Sequence, residues 1–145
     1  MKNKVCVVGA GNWGKNHIRS LLYLESLGGI VESKKELRES FAKSHPNVRG
    51  YDHLNQALND EYDGFVIATP AETHFNLAKK VIMSGKHVLV EKPMTLSINE
   101  AEELIDLAVH YGVNLMVGHV LLFHPAISKI KEMISRGDIG KPVYI

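Results

Sequence analysis

VVGAGNWGKNH, residues 7–17, sets Gly9, Gly11 and Gly14 within six positions directly behind an apolar run. A plain tight turn uses one glycine, sometimes two. The spacing here is G-x-G-x-x-G, and it is informative only in context: a predicted strand ends at Gly9, a helix pattern opens at Asn12, and a second strand follows. In that setting each glycine has its own task. Gly9 permits the sharp turn, Gly11 lets a diphosphate approach the main chain, and Gly14 lets the helix lie close to the strand. The free N–H groups at the helix start, with their partial positive charge, then face the phosphates, so Ala10, Asn12 and Trp13 join the candidate contacts. The competing reading is a glycine-rich turn without a ligand.

Outward from this turn, short β-branched runs alternate with longer helix-patterned ones. Strands are predicted at 4–9, 28–31, 65–69, 87–90 and 113–117, with a weaker one at 48–51. Most are almost continuously apolar, as strands of a parallel sheet covered on both faces are. Helices are predicted over 12–26, 34–44, 52–59, 73–84, 97–112 and 125–135. The first carries Trp13, His17, Leu21, Leu24 and Leu27 near a 3.6 period. In the fifth, Ser97 and Glu100 have capping-box spacing, Ile98, Ala101, Ile105 and Ala108 form a stripe, and Gly112 closes the run. Gly85 ends the fourth as a left-handed terminator. Alternating strand and helix predicts an α/β fold, a doubly wound parallel sheet of the Rossmann type. One domain is expected over residues 1–140. At 141–145 another apolar run begins, read as the start of a strand that belongs to something longer.

Bulk properties narrow the function classes. The chain has 145 residues, 45% hydrophobic and 23% charged, with a net charge of +1. That balance gives no footprint for nucleic acid or an acidic membrane surface. No apolar run approaches the roughly 20 residues of a membrane helix, and the N-terminus lacks the long apolar region of a signal peptide. A cytoplasmic location is expected. The single cysteine, Cys6, lies between valines and reads as a buried, inert thiol. The histidines show no metal-ligand spacing, and no metal site is expected.

The fingerprint calls for an acidic residue about 20 positions on. Glu32 stands 18 residues past Gly14 and could accept from both hydroxyls of an adenosine ribose while repelling a 2′-phosphate. NAD is therefore favoured over NADP, although Lys34, Lys35 and Arg38 partly offset that repulsion. Glu32 could also be a solvated strand-end charge. Ligands of open α/β sheets sit beyond the carboxyl ends of the strands. There the fourth strand presents Ala68, Thr69 and Pro70, followed by His74, and the fifth presents Glu91, Lys92 and Pro93. Lys92 has two readings: a cation that stabilises developing negative oxygen during hydride transfer, or a solvated turn lysine paired with Glu91. His119 could face the same crevice from the sixth strand. His17 is assigned to packing or surface, and His87 to a strand start without chemistry.

Together VVGAGNWGKNH, ATPAETH, GKHVLVEKPM, MVGH, FHPAI and IGKPVYI resemble, over essentially the whole chain, the glucose–fructose oxidoreductase / inositol dehydrogenase / rhizopine-catabolism (Gfo/Idh/MocA) family. The resemblance implies an N-terminal Rossmann domain followed by a C-terminal domain on an open, mostly antiparallel sheet, whose first strand would begin at Val143–Ile145. It implies that Glu91-Lys92-Pro93 is the family's EKP element, with the lysine at substrate and nicotinamide, and that Thr69, Pro70 and His74 line the cofactor. It further implies that the acid/base histidine and its aspartate partner lie in the second domain, so that this chain is the cofactor half and inactive alone. The family usually carries Asp where Glu32 stands. Within the family, GNWGKNHIRSLLYLESLG and VGHVLLFHPAI are most similar to dehydrogenases that oxidise the 3-hydroxyl of UDP-N-acetylglucosamine or its uronate.

The leading expectation is thus an NAD-dependent dehydrogenase of a sugar or sugar nucleotide, with a homo-oligomeric full-length form. Two alternatives stand beside it: a dinucleotide-sensing module without chemistry, and a biliverdin reductase-like enzyme.

Overall fold

A computed structural model of the chain describes residues 3–141 and 143. Six strands, β1 (Val5–Val8), β2 (Leu27–Val31), β3 (Arg49–Tyr51), β4 (Gly64–Ile67), β5 (His87–Val90) and β6 (Leu115–Val117), form one sheet in the order β3-β2-β1-β4-β5-β6. Every neighbouring pair is parallel. The sheet therefore reverses direction of growth between β1 and β4, the place where such folds open a crevice. Near-continuous apolar runs make this possible, because helices cover both faces.

The helices are α1 (Gly14–Tyr23), α2 (Lys35–Ser44), α3 (Leu54–Leu58), α4 (His74–Met83), α5 (Ile98–Tyr111) and α6 (Pro125–Arg136). On one face, α3, α4 and α5 bury Leu54, Ala57, Ala78, Val81, Ile82, Leu104 and Ala108 against Phe65, Ile67, Val88 and Val90. The other face is thinner: Ile18 of α1 packs with Val7, Ile30 and Val66, and Phe41 of α2 only partly covers them. Gly112 (φ 65°) and Gly85 (φ 73°) take the left-handed conformation expected of terminators. No helix among the described residues is long and apolar enough to cross a membrane.

Two helices bury only part of the stripe their periodicity predicts: Leu21 in α1, and Ala101 and Ala108 in α5, turn inward, but the rest does not. In α1 the inward residues are Gly14, Ile18, Leu21 and Leu22, while Trp13 is 50% exposed and Leu24 is exposed. Gly14 sets this phase, because it is the residue that sits against the Gly9 main chain. In α5, Leu104 and Ala108 are buried and Ile98 and Ile105 face outward, Ile98 at 78% exposure. The helix packs along α4, and Leu104 and Ala108 join Ala78, Val81 and Ile82 in one buried cluster. Ser97 does sit at the N-cap, but its side chain makes no capping hydrogen bond. The Thr95 hydroxyl donates to the Ser97 carbonyl at 2.8 Å instead.

Cys6 is fully buried, and burial pushes its thiol far above the ordinary range, with the nearby Asp60 charge adding to the shift. Tyr62 is buried across Gly28 and Gly29, where a Cβ would collide with its ring. Desolvation raises its phenol, as does its 2.7 Å hydrogen bond with Tyr51. The expected strand start at 143–145 falls on Tyr144 and Ile145, which lie outside the described residues; Val143 itself lies in a bend.

Candidate functional site

Parallel register brings the carboxyl ends of the strands level. Gly9 N–H donates to Val31 O, Ala68 N–H to Val8 O, Glu91 N–H to Ile67 O and Gly118 N–H to Val90 O, all at 2.8–2.9 Å. Glu32 N–H does the same to Tyr51 O. The residues that follow these rungs form a groove with two lobes. One lobe, about 490 Å³, lies between Gly9, Glu32, Asp52, His53, Ala68, Thr69 and Pro70. The other, about 390 Å³, lies between Asn12, Trp13, Thr69, His74, Glu91 and Lys92. Gly11, Ala68, Thr69 and Pro70 line both, so the lobes meet at the glycine turn. A larger cavity of about 520 Å³ lies near the opposite sheet end, but Arg49 and Asp60 there already pair at 2.8 Å, and no helix of the glycine turn opens toward it.

The three glycines differ physically. Gly9 has φ 93°, and a Cβ there would stand 2.8 Å from Ala68 O. A Cβ on Gly14 would run into the Gly9 carbonyl. At Gly11 a Cβ would meet nothing within 4 Å. Two glycines are thus required by the fold, and the third opens onto the groove.

Glu32 is buried rather than a solvated strand-end charge. Its Oε2 accepts from Ala10 N–H at 2.9 Å and its Oε1 from Lys34 N–H at 3.0 Å, which ties the glycine turn to the end of β2. Each carboxylate oxygen retains further acceptor capacity. Arg38 donates from Nη1 to the Glu32 main-chain carbonyl at 2.6 Å, placing a guanidinium beside the same lobe. Asp52 Oδ1, in this lobe, is buried with no hydrogen-bond partner among the described residues.

In the second lobe His74 is buried with Nδ1 2.8 Å from Pro93 O and Nε2 2.9 Å from Thr69 O. It bridges the loops after β4 and β5, and a neutral ring donates to one carbonyl at a time. Lys92 is exposed and lines the lobe. Glu91 is not its partner: the buried carboxylate faces His17 Nε2 at 2.6 Å. Among the described residues the Lys92 ammonium has no ion pair. His119 is exposed past β6 and lines neither lobe. Ala10 and Gly14 do not line the groove either; they act through the Glu32 bond and the helix seat.

Residues 3–119 match the family described as oxidoreductases with an NAD-binding Rossmann fold, Gfo/Idh/MocA. The chain belongs to that family. Among its curated relatives in the Gfo/Idh/MocA family, UDP-N-acetylglucosamine 3-dehydrogenase of Acidithiobacillus ferrooxidans is 32% identical over 139 residues, covering 96% of this chain and 42% of the relative. The NAD-dependent scyllo-inositol 2-dehydrogenase of Bacillus subtilis is 30% identical over 145 residues, covering 97% and 42%. Among solved structures, the WlbA dehydrogenase of Bordetella pertussis, in complex with NADH and UDP-GlcNAcA, superposes with a TM-score of 0.89 at 26% identity, covering 97% of this chain and 44% of that one. The chain thus spans about two fifths of the length of the relatives it matches.

For a Gfo/Idh/MocA domain, some groove residues were not legible beforehand. Asp52 and His53 follow the three-residue β3, the weakest strand signal; examining the end of that strand like the others would have found them. Gly118 is seated against the Glu91 carboxylate, and His17 reaches the same group across 74 positions of sequence. The residues present fit a dinucleotide: an open glycine beside a helix start and, among the described residues, an acidic oxygen without a partner in one lobe and a cation without an ion pair in the other.

Proposed function

We propose that residues 1–140 are the dinucleotide-binding domain of an NAD-dependent dehydrogenase that oxidises a hydroxyl of a sugar or sugar nucleotide. The observation that carries this is the two-lobed groove meeting at the open Gly11. The diphosphate would rest against the main chain at Gly9–Gly14, with Asn12 and Trp13 at its margin. Glu32 and Asp52 would face the adenosine ribose hydroxyls, and the Glu32 charge supports NAD over NADP. Thr69, Pro70, His74, Glu91 and Lys92 would line the nicotinamide end. When bound, the nicotinamide supplies the hydride acceptor. Lys92 would donate a hydrogen bond to the substrate oxygen as its proton leaves, lowering the cost of alkoxide-like charge. The group that takes that proton is assigned to the second domain.

For the substrate we put forward UDP-N-acetylglucosamine or its uronate, oxidised at C3. The 32% identity to a UDP-N-acetylglucosamine 3-dehydrogenase supports that choice. In the full-length protein, Lys92→Ala should lower kcat with NAD and the sugar nucleotide by about 10²–10³-fold, with NAD affinity held within about threefold. Unchanged turnover removes Lys92 from the chemistry. Failure of the unmodified enzyme to oxidise either sugar nucleotide removes the substrate assignment.

A further inference from the structure

Glu91 is a carboxylate buried at the nicotinamide lobe and held from three sides. From α1, His17 Nε2 donates to its Oε1 at 2.6 Å. From its own chain, the Lys92 main-chain N–H donates to its Oε2 at 3.2 Å. From the end of β6, the main chain at Gly118 passes so close that a Cβ there would come within 2.9–3.0 Å of the carboxylate carbon and both oxygens. The His17 and Glu91 side chains are only 22% and 8% exposed. A carboxylate taken this far out of water needs its partners, and removing one leaves a charge that must find water or reorganise its surroundings.

We propose that the His17–Glu91 pair is a positioning device: through Glu91 it fixes the main chain at Lys92, and so the nicotinamide end of the groove, to the helix that carries the phosphate turn. This rests on the dinucleotide reading above. His17 follows Gly14 by one helical turn on α1, so the pair joins the turn that receives the diphosphate to the segment that presents the lysine. Glu91 lines the nicotinamide lobe and not the adenosine lobe. Loss of His17 should therefore release the 91–93 segment toward the groove while leaving Glu32, Asp52 and the glycine turn in place.

Calorimetry on this chain with two ligands separates the possibilities. ADP reaches the adenosine lobe and the glycine turn; NADH adds the nicotinamide end. His17→Phe keeps a ring and loses the donor. It should bind ADP within about twofold of the unmodified chain and NADH about tenfold more weakly, the loss of one charge-assisted hydrogen bond. His17→Gln restores a donor and should recover most of the NADH affinity. Gly118→Ala, whose backbone accepts alanine, crowds Glu91 from the opposite side and should reproduce the selective loss; it decides the matter if His17→Phe does not fold. Equal weakening of ADP and NADH would mean that the pair merely builds the turn, and unchanged affinity for both would mean that it positions nothing; either overturns the proposal. An unmodified chain that binds neither ligand instead defeats the dinucleotide reading itself.

Discussion

Alanine placed at Gly11 and alanine placed at Gly14, three residues apart, should produce opposite failures. At Gly14 the new Cβ would overlap the Gly9 carbonyl oxygen and stand 2.9 Å from the Gly9 carbon. Both obstacles are main chain, so α1 must retreat by roughly 1.5 Å or more to regain ordinary contact distances. Overpacking of this kind costs about 3 kcal/mol at the upper end of the usual range. For a domain of this size that lowers Tm by about 6–12 °C. At Gly11 nothing lies within 4 Å and φ is not in the left-handed region, so Gly11→Ala should fold with stability within about 0.5 kcal/mol of the unmodified chain. Its Cβ would instead stand where the proposed function places the diphosphate. Losing one or two charge-assisted main-chain bonds should weaken NAD by about 10–100-fold. Thermal melts and NAD calorimetry on both variants provide the readout. NAD binding by Gly11→Ala at full strength would mean that no diphosphate rests there, and an unchanged melt for Gly14→Ala would mean that α1 is not seated on Gly9.

Glu32→Ser removes a buried carboxylate while leaving Arg38 and Lys34 beside the lobe, so the NADP-to-NAD affinity ratio should rise by about tenfold or more in calorimetry; an unchanged ratio would show that the carboxylate does not select the cofactor. Asp60 is held below the ordinary carboxylate range, first by the Tyr51 hydroxyl and then by Arg49. Its contribution to stability is full above about pH 4 and is lost as pH falls through the lowered pKa. Asp60→Asn should flatten that part of the acid-unfolding curve followed by circular dichroism, and identical acid limbs in the two proteins would contradict the assignment.

The architecture was legible because three signals agree: a strand, a glycine turn and a helix start at residues 4–17, then apolar runs too continuous for a half-exposed sheet. That Glu32, Thr69, Pro70, His74 and Lys92 line one groove was legible because parallel strands bring their ends to one edge. The helix faces were so only in part. Periodicity counted Trp13 and Leu24 into the apolar stripe, but α1 is shorter than predicted and leaves them at its two exposed ends, while the seat of Gly14 on Gly9 turns Ile18 and Leu22 inward. In α5 the predicted stripe held at Ala101 and Ala108, but it counted Ile98 and Ile105 and passed over Leu104, the residue most deeply buried beside α4. His17 and Glu91 are invisible as a pair in one dimension, since only the fold brings them within 2.6 Å.

The two faces of the sheet carry unequal loads. Among the described residues, fifteen side chains are buried in the cluster beneath α3, α4 and α5, against six beneath α1 and α2. Local opening costs least where the fewest apolar contacts must part. Backbone amides of α1 should therefore exchange for deuterium through smaller excursions than those of β4 or α4. The part of the molecule that breathes most easily is then the part to which the proposed function assigns the ligand, and occupancy of the groove would be felt first as a quieting of that helix.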